Sequence, residues 1–299
     1  MKVVKPIIIT AAMLVSSTAT ETNAEYVAAT AYALNARVTL ASTGRTYECI
    51  KDPSTGNPPA SSPLYWFDRG PSNKLAMFDD KLNTQTSAIG LLTTVIKPGY
   101  ANSLPLFGLE GSTATVTARN GVAGELVYSK VKSLDGSVIT SLFEYLYEPF
   151  VQLTEMVLTD LPTYGDLHIT TTITGPATVK CGFLSAGMVY DLGETNYGVT
   201  IDIIDYSRKD TTAAGVTSLI VGAFSQRLSA LVTVDNQRFA KVVRLLETLR
   251  ATPCAWIGTS VTGFEPLSVF GFYRSAPLTV DNHRNSSLNL DVEGLVSWQ

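Results

Sequence analysis

Two histidines, three cysteines and two close pairs of acids are the residues of this chain that could move protons, attack a carbonyl or hold a metal. His168 lies in the strand-like run Leu167–Ile173 and His283 in the polar turn Asp281–Asn285. Neither has the HExxH or paired Cys/His spacing that brings ligands onto one zinc ion. No GxSxG elbow is present to expose a serine nucleophile, and Gly182-Phe-Leu-Ser-Ala-Gly187 does not match one. No Gly-rich phosphate loop of the GxGxxG or GxxxxGK[ST] type occurs. Cys49, Cys181 and Cys254 are odd in number and far apart, so they read as buried small hydrophobes or free thiols rather than as a disulfide framework. Asp79-Asp80 and Glu144/Glu148 are acid pairs, and glycosidases need two carboxylates about 5 to 10 Å apart. Their settings, a polar turn and the open side of a short helix, fit solvated acids better. We therefore expect no catalytic residue, no metal, no cofactor and no enzymatic activity.

Aromatic side chains make the stronger binding candidate. Tyr47, Tyr65 and Trp66 fall in a compact segment, Glu25–Phe78, that also holds Tyr26, Tyr32, Phe67 and Phe78. Flat rings can stack on sugar rings, so these three are a candidate carbohydrate platform. A module of this size must also build a core from its aromatics, and Trp66 suits either role.

These residues have to be positioned by four blocks. Residues 1–24 form an N-terminal arm; 25–78 the small aromatic module; 79–192 a β-sandwich; 193–299 an α+β domain. In the arm, two lysines precede the apolar run Pro6–Val15, the outline of a secretory signal. The β-branched Ile7-Ile8-Ile9-Thr10 reads instead as a strand, and an uncleaved arm is the favoured reading. In the module, Val38–Leu40 and Thr46–Ile50 are strands around a Ser42-Thr43-Gly44 turn. The third block alternates or is β-branched over 89–96, 114–118, 126–131, 151–158, 167–173 and 179–190. A short helix fits Ser141–Tyr147, where Leu142, Tyr145 and Leu146 share a face and Pro149 stops it. In the fourth block Asp235 caps a helix whose Phe239, Val242, Val243, Leu246 and Leu249 form one stripe. Strands at 199–203, 219–221, 228–234, 254–257, 267–273 and 288–292 complete a sheet under that helix. The fold class is thus mainly β with some α+β.

Composition narrows function further. Hydrophobic residues make up 45% and charged residues 16%, below the usual ~25% for soluble domains. Neutral Thr, Ser, Asn and Gly fill the gap, which suits sheet surfaces and subunits that cover one another. Net charge is −4 with no Lys/Arg cluster, so no nucleic-acid footprint is visible, and no run reaches the ~20 apolar residues of a membrane span.

Tyr32-Ala-Leu-Asn-Ala-Arg-Val38, Tyr47-Glu-Cys49, Thr55-Gly-Asn-Pro58 and Trp66 together resemble the small chitin-binding (type 5/12) carbohydrate-binding module. Tyr26 stands where that pattern opens on a Trp. The stretch Trp66-Phe-Asp-Arg-Gly-Pro-Ser-Asn-Lys-Leu-Ala-Met-Phe-Asp79, continuing to Asn83-Thr-Gln-Thr86, is similar to a junction in structural proteins of tailed phages. Asp191-Leu-Gly-Glu-Thr-Asn-Tyr-Gly198, Asp205-Tyr-Ser-Arg-Lys209, Leu249-Arg-Ala-Thr-Pro253, Trp256-Ile-Gly258 and Val292-Glu-Gly-Leu295 resemble the same proteins, as does the opening Met1-Lys-Val-Val-Lys-Pro6. The resemblance implies a structural protein of the virion tail, at the tail tip, baseplate or fibre-attachment region. Its implied partners are other tail proteins, further copies of itself and a host cell-surface polysaccharide. The alternative is a secreted carbohydrate-binding protein or glycosidase that loses residues 1–24 as a signal peptide.

Overall fold

The computed structural model describes residues 1–137, 139–147, 149–211, 215, 217–259, 261 and 263–296. It is mostly β, with several sheets and one helix longer than two turns.

The N-terminal segment enters both large sheets. β1 (Lys2–Ile7) pairs with strands of the C-terminal sheet on both edges, and β2 (Leu14–Ser17) adds to the edge of the central sheet. Val3 and Val4 are fully buried on opposite faces, so the segment holds an interior strand, but it lies earlier than the β-branched run suggests: of Ile7-Ile8-Ile9-Thr10 only Ile7 belongs to β1, and Ile8 is exposed. The chain crosses between the sheets at Ile8–Met13, and beyond β2 Thr18 still receives the Thr93 N–H on its hydroxyl at 2.8 Å.

The small module is the three-stranded sheet β3 (Arg37–Leu40), β4 (Arg45–Cys49) and β5 (Trp66–Pro71). The expected β3–β4 turn is present. Gly44 sits at φ +63°, and a Cβ there would lie 1.9 Å from Leu75 Cδ1, so the turn both requires glycine and seats the module on its own exit segment. Asn73 fixes that exit: its amide donates to Thr20 O (2.8 Å) and Ser87 O (2.9 Å) and accepts from Ser87 N–H.

The central sheet is built from β6 (Thr86–Ile96), β7 (Leu104–Glu110), β8 (Thr113–Asn120), β9 (Leu126–Ser133), β10 (Glu155–Leu158) and β11 (Leu167–Leu184). One edge of β11 pairs with β6; the other pairs first with β8 and then with β7. The sheet bends at the Thr174/Thr178 irregularity. At the corner a Cβ on Gly111 would sit 2.8 Å from Ile173 Cγ2 and 3.0 Å from Thr174 O, so the β7–β8 junction has room only for glycine. Folding the sheet there encloses a core that includes Leu92, Ile96, Leu106, Val116, Leu167 and Ile169. Between β9 and β10 lies the short helix α1 (Leu142–Tyr147).

The C-terminal sheet takes β12 (Ala186–Asp191), β13 (Glu194–Thr195), β14 (Thr200–Asp205), β17 (Phe224–Asp235), β18 (Cys254–Ile257), β19 (Ser268–Ser275), β20 (Leu278–Val280) and β21 (Asn285–Gly294), with β1 between β12 and β18. Between β14 and β17 the chain makes a two-stranded excursion, β15 (Arg208–Thr211) and β16 (Thr217–Ile220). Helix α2 (Phe239–Thr248) follows a single 3-10 turn capped by Asp235, whose carboxylate accepts the Gln237 N–H at 2.9 Å. Val242, Leu246 and Leu249 are the buried part of its stripe. Three layers result. Val3, Trp256, Val269 and Leu290 face α2, whereas Val4, Ala255, Ile257 and Phe270 face the central sheet across a seam with Phe107 and Phe183. Phe183 stacks on Phe270 at 3.8 Å between centroids. The sequence boundary at 192/193 is crossed by this sheet, since β1 and β12 both belong to it.

Candidate functional site

The three sequence-predicted aromatics do not lie on one open face. Trp66 and Tyr47 are buried together with Val38 and Cys49. Trp66 meets Tyr26 and Tyr32 edge-on at 5.9 and 5.3 Å, Tyr26 stacks on Tyr32 at 5.6 Å, and the indole N–H donates to Asn57 O at 2.9 Å. A buried indole needs a partner for its polar end, and here that bond anchors the Pro-rich loop 52–63. Of its two candidate roles Trp66 therefore takes the core one. Tyr65 is half-buried and carries the Lys51 ammonium 4.9 Å from its ring centroid. Beside this core, Glu48 receives Arg37 and Arg69 at 2.8 Å each. Hydrogen bonds from Arg69, then Arg37, draw its carboxyl down to about 2. The exposed apolar side chains of the module are others: Val27, Leu34, Ile50, Leu64 and Phe67.

The titratable residues are dispersed. His168 is buried, with Nε2 3.5 Å from Asp166 Oδ1, too long for a strong hydrogen bond. His283 is exposed in its turn, and no hydroxyl or thiol is hydrogen-bonded to either histidine among the described residues. Asp79 binds the Thr84 hydroxyl and the Lys81 N–H, and burial pushes its carboxyl up. Glu148 lies outside the described residues. All three cysteines are buried and free, and desolvation raises Cys181 and Cys254 to about 12, where thiolate chemistry is negligible. No group of three or more His, Cys, Asp or Glu side chains suited to a metal occurs among the described residues.

Sequence reasoning missed a charged clamp across the seam. Lys132 reaches Glu155 O at 3.3 Å and Glu265 Oε1 at 3.4 Å, in a cleft of about 290 Å³ between β9–β10 and the C-terminal sheet. Burial raises the Glu155 carboxyl. At Glu265 burial acts upward too, but backbone N–H groups and Lys132 bring the net value down. Its chemistry is that of an ion pair bridging residues 133 positions apart. Such pairings leave no signal in a single sequence.

The largest unpartnered feature is a pair of projecting segments. The first is the loop from Leu134 to Thr154. Its base is closed by Gly136 N–H to Val151 O and Leu153 N–H to Leu134 O, both 2.8 Å. Ser141-Leu-Phe-Glu144 then forms a capping box: the Ser141 hydroxyl accepts Glu144 N–H at 3.2 Å, and Glu144 Oε2 accepts Ser141 N–H at 2.9 Å. The helix so started buries no residue. Leu142, Phe143, Tyr145, Leu146 and Tyr147, with Phe150 beyond them, are all 58–75% exposed. The face that the periodicity assigns to Leu142, Tyr145 and Leu146 is thus exposed, with no other described segment covering it. The second segment is the β15–β16 ribbon, where every described residue from Asp205 to Val221 is exposed, including Tyr206, Leu219, Ile220 and Val221. Both rise from the rim of one cleft, about 630 Å³, that Phe150–Gln152 and Phe224–Gln226 help to line. A Ser-x-x-Glu box opening an aromatic stretch that lacks Lys and Arg was the signal available for the first segment; in the ribbon the predicted strand at 219–221 overlaps β16, whereas β15, all polar, offered none.

No protein-family model matches the chain, and no curated protein matches it significantly. No helix among the described residues is long and apolar enough to cross a membrane.

Proposed function

We propose that this chain is a non-catalytic structural subunit of a tailed-phage virion, built into the tail tip, baseplate or fibre-attachment region. The observation that carries the assembly reading is the helix α1 segment. Local capping specifies a helix that buries none of its apolar side chains among the described residues, and such an element gains stability when another surface covers it. The tail assignment draws on the resemblance of the junction at 66–86 and the distal motifs. The low charge and neutral polar strands agree with a subunit that spends its working life among neighbours.

Host-polysaccharide binding is a secondary role of the small module in this reading. Trp66 then acts by holding the loop 52–63, and sugar contact falls to Tyr65 and the exposed Phe67. The secreted alternative, trimmed at Ala24, is disfavoured because β1 would be lost from between β12 and β18, exposing Trp256 and its neighbours.

The test is quantitative mass spectrometry of purified phage particles. The reading expects this chain at a fixed copy number per particle, with its N-terminus at Met1 or Lys2. Absence from particles, or a mature form starting near Glu25, would refute it.

A further inference from the structure

The arm around α1 presents acid and aromatic surface. Phe143, Tyr145, Tyr147 and Phe150 are 58–71% exposed. At about 150–250 Å² per aromatic side chain they offer on the order of 500 Å². With Ile139, Leu142, Leu146 and Val151 the arm approaches the ~800 Å² that one partner contributes to a standard interface. From residue 134 to residue 154 the sequence holds Asp135, Glu144 and Glu148 and not one Lys or Arg.

The ribbon is its complement. Cross-strand pairing sets Lys209 beside Leu219 and Thr211 beside Thr217 on one face. On the other, Arg208 pairs with Asp210 at 3.1 Å next to Ile220. Lys209 makes no ion pair among the described residues, so this face sets an unneutralised cation beside Leu219, with the hydroxyls of Thr211 and Thr217 next to them. The two segments share a cleft rim, yet each stays exposed, so within one chain neither covers the other.

We propose that the α1 arm of one copy packs against the Lys209–Leu219 face of the ribbon in a second copy of this chain. This rests on the assembly reading and names its partner. Apolar area supplies the affinity, and the acid-to-base match sets which surfaces meet. Every copy carries both halves of the contact, so self-association needs no other protein.

Mixed cysteine variants of the full chain test the contact. Cys49, Cys181 and Cys254 are buried, so Leu146→Cys in one population and Leu219→Cys in another become the reactive thiols. Under a mild oxidant such as diamide the mixture should give a disulfide-linked species of twice the chain mass, joined between these two positions. Lys209→Glu should weaken self-association, read by sedimentation velocity, by about tenfold or more, and Leu146→Asp by more still. Each site is exposed, so unchanged thermal melting verifies the fold. A wild-type chain that stays monomeric at the highest attainable concentration overturns the proposal. So does an oligomer that forms without the 146–219 link and is indifferent to both substitutions. Either failure leaves the virion reading standing if particles still contain the chain; absence from particles with the cross-link intact would sink the virion reading alone.

Discussion

The aromatic module and the α1 arm are similar in content and opposite in fate. The module folds a three-stranded sheet over Tyr26, Tyr32, Tyr47 and Trp66 and supplies the indole with a carbonyl partner. The arm spends Phe143, Tyr145, Tyr147 and Phe150 on a loop whose six-residue helix has no second layer. Aromatic density therefore does not identify a binding surface. What separates the two is whether the same chain provides a facing layer and partners for the polar ends of the rings.

That contrast can be broken at several points. Trp66→Ala should cost the module about 3–5 kcal/mol, because a large buried side chain and an anchoring hydrogen bond both go. Urea unfolding followed at a module-specific probe would read it. A loss below about 1 kcal/mol would mean that Trp66 is a surface residue after all.

A smaller effect is expected on the acid limb. The Glu48 carboxyl is depressed in the folded chain by Arg69 and Arg37. A depressed folded value contributes stability that is present above the unfolded Glu range and is lost as pH falls through about 2. The module should therefore lose stability on acidification from about pH 4.3 downward, and Glu48→Gln should flatten that limb. An unchanged acid profile in the variant would remove Glu48 from the account.

Ser141→Ala removes one half of the capping box and should cost α1 about 1 kcal/mol. Hydrogen exchange should rise in 142–147 and nowhere in the module. Smallest of all, the pair Phe143→Ala and Tyr147→Ala should change the stability of the isolated subunit by no more than about 0.5 kcal/mol, although the two rings lie 4.9 Å apart. A large loss there would show that the arm has a partner within the chain.

Much of the fold was legible from pattern. Cys254–Ile257 reads as a continuous apolar run because both of its faces are buried, one toward α2 and one toward the seam. The α2 stripe and the β3–β4 turn follow from periodicity and from a glycine with positive φ. β7 did not show, because Pro105 and Gly108 argue against a strand that its neighbours β10 and β11 nevertheless impose. β11 reads as two strands because Gly175-Pro176 looks like a stop, whereas the pairing with β6 continues past an irregularity. The run 151–158 shortens to Glu155–Leu158, since its first residues close the base of the arm.

The candidate site was less legible. Sequence density singled out Tyr47, Tyr65 and Trp66, but only the third dimension says which rings face inward. The α1 helix was found by its spacing, but spacing gives the shared face of Leu142, Tyr145 and Leu146 and not what lies against it. The β15 strand, Arg-Lys-Asp-Thr, has no apolar residue to announce it.

The central claim is that the arm and the ribbon are open in the single subunit and covered in the assembly. Hydrogen exchange on the isolated chain and on the assembled particle compares the two states directly. The account predicts new protection in 142–147 and 208–220 on assembly, with the buried module strands 37–49 unchanged. Protection confined to the module, with the arm and ribbon exchanging as fast as before, would contradict it.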